Sequence, residues 1–213
     1  LSFMDGEPIP DRYAFAKNLS PQSLIPGDNM NPQLTFMDVP DDAQSLVLLC
    51  ADLDAPEDLS LADTQGVSLD GNVPRRPFFH WVLIDLPPST GDIEEGAYAI
   101  GVYRRGKSQL SDEIPAREGL NDLTHRFAND PEMAGYYYGY DGPCPPWNDP
   151  RPHRYCFTLY ALDVGALTVP TMFYGNDVVA AMEGHVLASA SLTGVYTLDP
   201  SVAPVQVGST TAT

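Results

Sequence analysis

Four side chains from separate parts of this chain, Asp52, His80, His153 and Tyr155, are of the types that hold a small anion. Imidazole N–H groups and a phenolic O–H donate to phosphoryl or carboxylate oxygens, and a carboxylate fixes an imidazole tautomer by accepting from its far nitrogen. Such a site needs no metal and no cofactor. Asp52 and Asp54 stand two apart where an apolar run ends, so on a strand they share a face before Ala55-Pro56 closes the ladder. Carboxylates in that place commonly accept from the backbone of the next turn, and one of the pair is also expected to orient a histidine. His80 sits in Phe78-Phe79-His80-Trp81-Val82-Leu83-Ile84, apolar at almost every position. That is the mark of a strand covered on both faces, and a buried imidazole there needs a partner. His153 and Tyr155 are two apart and project from one face of their strand, with Arg154 and Cys156 on the other. Just upstream, Tyr140-Asp141-Gly142-Pro143-Cys144-Pro145-Pro146 is a Gly/Pro loop stiff enough to wall a pocket.

Strands must carry these groups. Apolar, β-branched runs bounded by Pro, Gly and Asp lie at 34–39, 45–53, 78–86, 154–164 and 192–198. The 21 prolines punctuate the segments between them and leave room for few helices. One helix is expected over 117–129, where Leu120, Leu123 and Phe127 recur at helical spacing. A second is expected from Asn176 or Asp177 through Leu187, with Val178, Val179, Met182 and Val186 on its packing face. The expected fold is mostly β, a β-sandwich of antiparallel sheets with a few peripheral helices, in one domain over 1–203 with a frayed tail from 204. The polar segment 57–76 is expected to be loose. Tight turns at Ala55-Pro56 and among Pro143, Pro145 and Pro146 suggest a cis X–Pro bond.

Composition removes several classes of function. The 29 acidic residues outnumber the 11 basic ones, and the resulting net charge of −18 opposes binding to phosphate backbones, so no nucleic-acid partner is expected. No run approaches the roughly 18 consecutive apolar residues of a membrane-spanning helix. The first ten residues carry acids and prolines where a secretory leader has a basic start and an apolar core, so a cytoplasmic location is expected, although a cleaved leader leaves no trace. Three cysteines, with Cys50 and Cys156 inside apolar runs, imply buried thiols and no disulfide framework.

Six ordered pieces match a known family: Asp5-Gly6-Glu7-Pro8-Ile9-Pro10, Asn31-Pro32-Gln33-Leu34, Asp52-Leu53-Asp54-Ala55-Pro56, His80-Trp81-Val82-Leu83, the loop 142–146, and His153-Arg154-Tyr155. With these the chain resembles the phosphatidylethanolamine-binding proteins, in particular their bacterial and archaeal branch, often labelled Raf-kinase-inhibitor-like. Met182-Glu183-Gly184-His185-Val186-Leu187 and Leu192-Thr193-Gly194-Val195-Tyr196 resemble that family's closing helix and last strand. The resemblance implies a β-sandwich of that family's type. It makes Asp52, His80, His153 and Tyr155 the rim and floor of an anion pocket, with Asp54 beside them and Pro56, Gly142, Pro143 and Pro145 shaping the walls. Two departures stand out. Leu53 occupies a place where the family carries proline, and the segment 102–141, with Arg104, Arg105, Lys107 and Tyr136-Tyr137-Tyr138, is longer than the minimal pattern. Extra loop length of this kind is expected to be simple elaboration.

The resemblance favours a binding or regulatory protein for phosphate, phosphorylethanolamine or a similar small anion over a catalyst. Two alternatives stay open. His80 or His153 can act as a general base oriented by Asp52 in a hydrolase or isomerase, although there is no nucleophile motif and Cys144 is the single thiol candidate. His80, His153 and a carboxylate can also form a two-histidine-one-carboxylate metal set. His125 and His185 fall on expected helices and stay outside the site. Homodimers are common among soluble proteins, which is a base rate and no more, and the sequence indicates no protein partner.

Overall fold

The computed structural model describes residues 2–20, 23–69, 71–109 and 115–202. Its strands are β1 (Ala16–Ser20), β2 (Ser23–Pro26), β3 (Leu34–Thr35), β4 (Ser45–Asp52), β5 (Phe78–Leu86), β6 (Asp92–Ile93), β7 (Gly106–Lys107), β8 (Arg117–Glu118), β9 (Tyr136–Tyr137), β10 (His153–Leu162) and β11 (Val186–Tyr196). Two short helices, α1 (Leu123–Arg126) and α2 (Gly175–Ala181), complete the set apart from two single 3-10 turns. The main sheet is antiparallel in the order β11-β10-β4-β5-β8, and three two-stranded sheets surround it.

The continuous apolar runs of β4 and β5 reflect burial on both faces: every residue of β4 is buried, and all of β5 except Asp85. On one face Leu46, Leu48, Cys50, Trp81, Leu83 and Phe157 pack against Phe3, Tyr13, Phe15 and Tyr140. On the other, Val47, Leu49, Val82, Ile84 and Leu162 pack against Phe173 and Val178, which bring in α2. The fold is mostly β, as expected. β10 lies antiparallel to β4 with Tyr155 opposite Asp52, and β5 places Phe78 opposite Asp52, so one end of the sheet gathers residues from three strands.

The register of β5 slips at that end. Cys50 faces Trp81 but Ala51 faces Phe79, which leaves His80 as an extra, unpaired residue. A bulge of this kind re-aims a side chain. Here it reverses the alternation, so that Trp81 faces the core cluster that also holds Phe78, and His80 joins Phe78 and Asp52 on that face.

Several expected elements differ. The helix over 117–129 shrinks to one turn, α1, because residues 117–122 continue the ladder along β5. Gly119 N–H donates to Val82 O, Asp122 N–H to Phe79 O, and Phe79 N–H to the Asp122 carboxylate. The second helix begins at Gly175, where Asp177 accepts the Tyr174 N–H, and ends at Ala181. Gly184 with φ +82° then turns the chain into β11, which starts at Val186 and not at 192. The strand expected over 34–39 is two residues long, ended before Asp38 at φ +57°. Every peptide bond among the described residues is trans, which corrects the expected cis proline. At Ala55-Pro56 a carboxylate-backbone turn and an antiparallel bridge from Pro56 to Arg75 close the bend with ordinary geometry. The segment 57–76 lacks strands but is anchored: Asn148 donates to Leu61 O and Val67 O, and its Oδ1 accepts from Asp63 N–H. The tail expected from 204 lies outside the described residues.

Candidate functional site

His80 is buried, with Nδ1 2.8 Å from the carbonyl oxygen of Asp141, while Asp141 N–H donates to His80 O at 2.9 Å. A carbonyl only accepts, so Nδ1 carries the proton and Nε2 presents a lone pair. Burial pushes the imidazole pKa below its ordinary value, against the pull of Asp52 and the Asp141 carbonyl, which keeps the ring neutral near pH 7. The ring lies between Phe78 and Tyr155, at centroid distances of 5.0 and 5.2 Å. Nε2 has no hydrogen-bond partner among the described residues.

Asp141 is itself a buried hub. Its carboxylate accepts from Asn29 at 2.7 Å and Asn121 at 2.8 Å, with Lys107 Nζ 3.5 Å away. Asn29 also accepts the Gly142 N–H at 2.8 Å. A side chain at Gly142 would meet Tyr13 O at 1.8 Å, so only glycine lets the loop lie against the N-terminal segment. Pro143 O accepts the Phe15 N–H at the same junction. Within the segment 102–141, Lys107, Asn121 and Asp141 brace the wall of the site.

His153 differs sharply. It is fully buried between two carboxylates, Nδ1 at 2.6 Å from Asp52 and Nε2 at 3.0 Å from Asp149. Both nitrogens therefore carry protons. Burial opposes the charge, but the Asp52 charge and the bonds to Asp149 and Asp52 prevail and raise the pKa to about 9. Asp149 is held down to about 2, because bonds from His153 and Arg75 outweigh its desolvation. Arg75 also donates to Asp54 O at 2.7 Å. Asp54 is buried and occupied by Arg154, whose Nε and terminal nitrogen donate at 2.8 and 3.1 Å, and by Arg151 at 3.3 Å. Burial raises the Asp54 pKa, but the Arg154 bonds override it and lower the net value. Asp52 performs both roles expected of the pair, accepting from the Asp54 N–H at 2.8 Å and from His153.

Above this layer lies a small cleft of about 70 Å³ that opens to solvent. Its polar walls are Asp52, His80, Asp63 and Arg126; Pro56, Leu59, Phe78, Phe127, Cys144 and Pro145 are among the others. Of the expected set, Asp52, Pro56, His80 and Pro145 line it. Asp54, Gly142, Pro143, His153 and Tyr155 support it from behind. The Tyr155 phenol is fully buried beside Asp52, and its hydroxyl meets no hydrogen-bond geometry among the described residues. Burial and the Asp52 charge keep it protonated. Burial, with Asp63, pushes the Cys144 thiol up to about 12.

Sequence reasoning missed Asp149, Asp63 and Arg126. Asp149 carried a signal, four residues before His153 in a turn that returns to β10. Asp63 and Arg126 carried none, since their meeting at 2.8 Å joins the anchored loop to α1. The metal set is not assembled. Both His153 nitrogens face carboxylates as donors, and no group of three or more His, Cys, Asp or Glu residues among those described is placed to hold a metal ion. His125 stacks on Tyr174 and His185 pairs with Asp163, both away from the cleft.

The cleft thus lies at one end of the antiparallel sheet, braced by Asp52, His153 and the Gly142 loop. The match to the phosphatidylethanolamine-binding protein family spans residues 1–197, and the chain belongs to that family. A UPF0098 protein of Methanothermobacter thermautotrophicus is 33% identical, over 92% of this chain and 94% of its own. The UPF0098 protein YbhB of Escherichia coli is 28% identical, over 90% and 94%. The crystal structure of a phosphatidylethanolamine-binding protein homologue from Chlamydia trachomatis superposes with TM-score 0.61 at 31% identity, covering 93% of this chain and 94% of the other. That of Escherichia coli YbcL has the same fold, with TM-score 0.63 at 23% identity over 92% and 94%. Among the described residues no helix is long and apolar enough to cross a membrane.

Proposed function

We propose that the cleft binds a small oxyanion, inorganic phosphate or the phosphoryl head group of a molecule such as phosphorylethanolamine, and that the protein acts as a binding or regulatory module. One observation carries this reading: His80 lines the cleft with Nδ1 held by a carbonyl and Nε2 without a protein partner. The Tyr155 hydroxyl, fully buried behind this wall and facing Asp52 without a well-aligned hydrogen bond, agrees. The family's name supplies the choice of phosphoryl head group.

The site dictates a particular form of binding. Neutral His80 offers a lone pair and Asp52 a negative charge, so an oxyanion needs a proton between itself and each of them. Dihydrogen phosphate brings both on its own P–O–H groups, or hydrogen phosphate brings the one toward Asp52 while His80 takes up the other from solvent. Either way, affinity rises as pH falls. Turnover has less support. A thiol with its pKa at about 12 is almost wholly un-ionised and a poor nucleophile, and burial makes His80 a weakened base.

The test is calorimetric titration of inorganic phosphate and phosphorylethanolamine at about pH 6.5, the imidazole reference value. The wild type should bind saturably, His80→Ala should not bind, and Tyr155→Phe should bind about tenfold more weakly while unfolding at the same or a higher temperature. Absence of heat from both anions in a folded wild type refutes the reading.

A further inference from the structure

We infer that Arg126 is the cation that anchors the bound anion, and that Asp63 is a resident competitor which the anion must displace. This rests on the anion-binding reading of the same cleft. An anion there needs a positive charge, and the obvious cations are occupied: His153 lies between Asp52 and Asp149, Arg75 is held by Asp149, and Arg151 and Arg154 by Asp54. None of the four lines the cleft. Arg126 does, together with Phe127 and Cys144.

Among the described residues Arg126 makes one side-chain hydrogen bond, its terminal nitrogen donating to Asp63 Oδ2 at 2.8 Å. A guanidinium presents five donors in a planar fork, so this single bond leaves capacity for a phosphoryl group. The pair is also exchangeable. Its side chains are 31% and 36% exposed, where ion pairs are weak, whereas Asp52 and Asp149 are locked to a fully buried imidazole. Asp63 is itself an oxyanion at the place the ligand's charge must occupy. Its other oxygen accepts the Trp147 N–H at 3.0 Å, and its φ is +57°, so the loop holds the carboxylate in the cleft through local contacts that do not depend on Arg126. Removing its charge should therefore free Arg126 without unfolding the loop.

The experiment is a titration of inorganic phosphate, and separately of phosphorylethanolamine, into wild type, Asp63→Asn, Arg126→Gln, Arg126→Lys and the Asp63→Asn/Arg126→Gln double variant. Thermal unfolding confirms that each is folded. Asp63→Asn should tighten phosphate binding by about five- to tenfold, and Arg126→Gln should weaken it by at least about tenfold. Arg126→Lys should recover only part of the loss, since an ammonium lacks the fork. In the double variant the gain from Asp63→Asn should vanish. A smaller gain with phosphorylethanolamine than with phosphate supports the same assignment, its ammonium taking the Asp63 carboxylate in exchange. If wild type binds but Asp63→Asn fails to tighten phosphate, or the gain survives in the double variant, the inference is overturned while the anion-binding reading stands. If wild type binds neither anion, both fall.

Discussion

Two buried histidines at one end of a sheet have opposite electrostatic states, and the difference lies in what each nitrogen meets. His80 meets one carbonyl, so it is neutral and keeps a free nitrogen toward the cleft. His153 meets two carboxylates, so it is an imidazolium with no nitrogen left for a ligand. The same residue type therefore divides the labour: one ring faces the cleft, and the other is the internal cation shared by Asp52 and Asp149. Burial alone would depress both pKa values.

The largest effect that sharpens this contrast is on stability. His153→Ala should cost about 3–5 kcal/mol in urea unfolding, because it leaves two buried carboxylates without their shared cation. His80→Ala should cost only about 1–3 kcal/mol while abolishing anion binding. Equal losses from the two substitutions would break the division of labour.

Next is the pH dependence, which has opposite signs at the two sites. His153, raised to about 9, contributes stability that is fully present below its unfolded value near 6.5 and is lost as pH rises through about 9. Its share is on the order of 3 kcal/mol. His80, lowered, contributes stability that is present above about 6.5 and is lost as pH falls toward its folded value. Nitrogen-15 spectra near neutral pH, with the His125 and His185 signals assigned separately, should show a neutral Nδ1–H ring for His80 and a doubly protonated ring for His153. Two neutral rings would contradict the assignment.

The smallest effect is expected where the carboxylate stands behind the cleft. Arg154→Ala removes one of two arginines from Asp54, and the Arg154 side chain is half-exposed. Stability should change by about 1 kcal/mol or less, and phosphate affinity should not change.

Much of this was legible in the chain itself. The apolar runs of β4 and β5 announced strands buried on both faces, and the two-residue spacing of His153 and Tyr155 placed them correctly on one face. The carboxylate-histidine partnership was also foreseeable, because Asp52 ends one strand and His153 opens its neighbour. The bulge at His80 was not, since Phe78 to Ile84 is apolar throughout and shows no alternation to interrupt. Nor were the short helices. Leu120, Leu123 and Phe127 are spaced as in a helix, yet Gly119 and Asp122 bond to β5 and the Leu120 N–H donates to Phe173 O, which holds Leu120 in extended chain. Arg126 and Asp63 escaped for a third reason: loop residues meet only through the tertiary anchoring of both loops, here by Asn148 and by Asp122.

The position of β4 has a consequence for how the chain is made. β4 pairs with β5 on one side and β10 on the other, yet its Asp52 and the His153 that opens β10 are 101 positions apart. During synthesis the β4–β5 hairpin leaves the ribosome with one apolar edge open until β10 follows. From Leu86 to Leu162, at about 5–20 residues per second, that interval is roughly 4–15 s. An uncovered edge of this kind is a template for wrong pairing, so the nascent protein should depend on chaperone holding or slow collapse at this stage. The ligand cleft is completed only when the last third of the chain arrives.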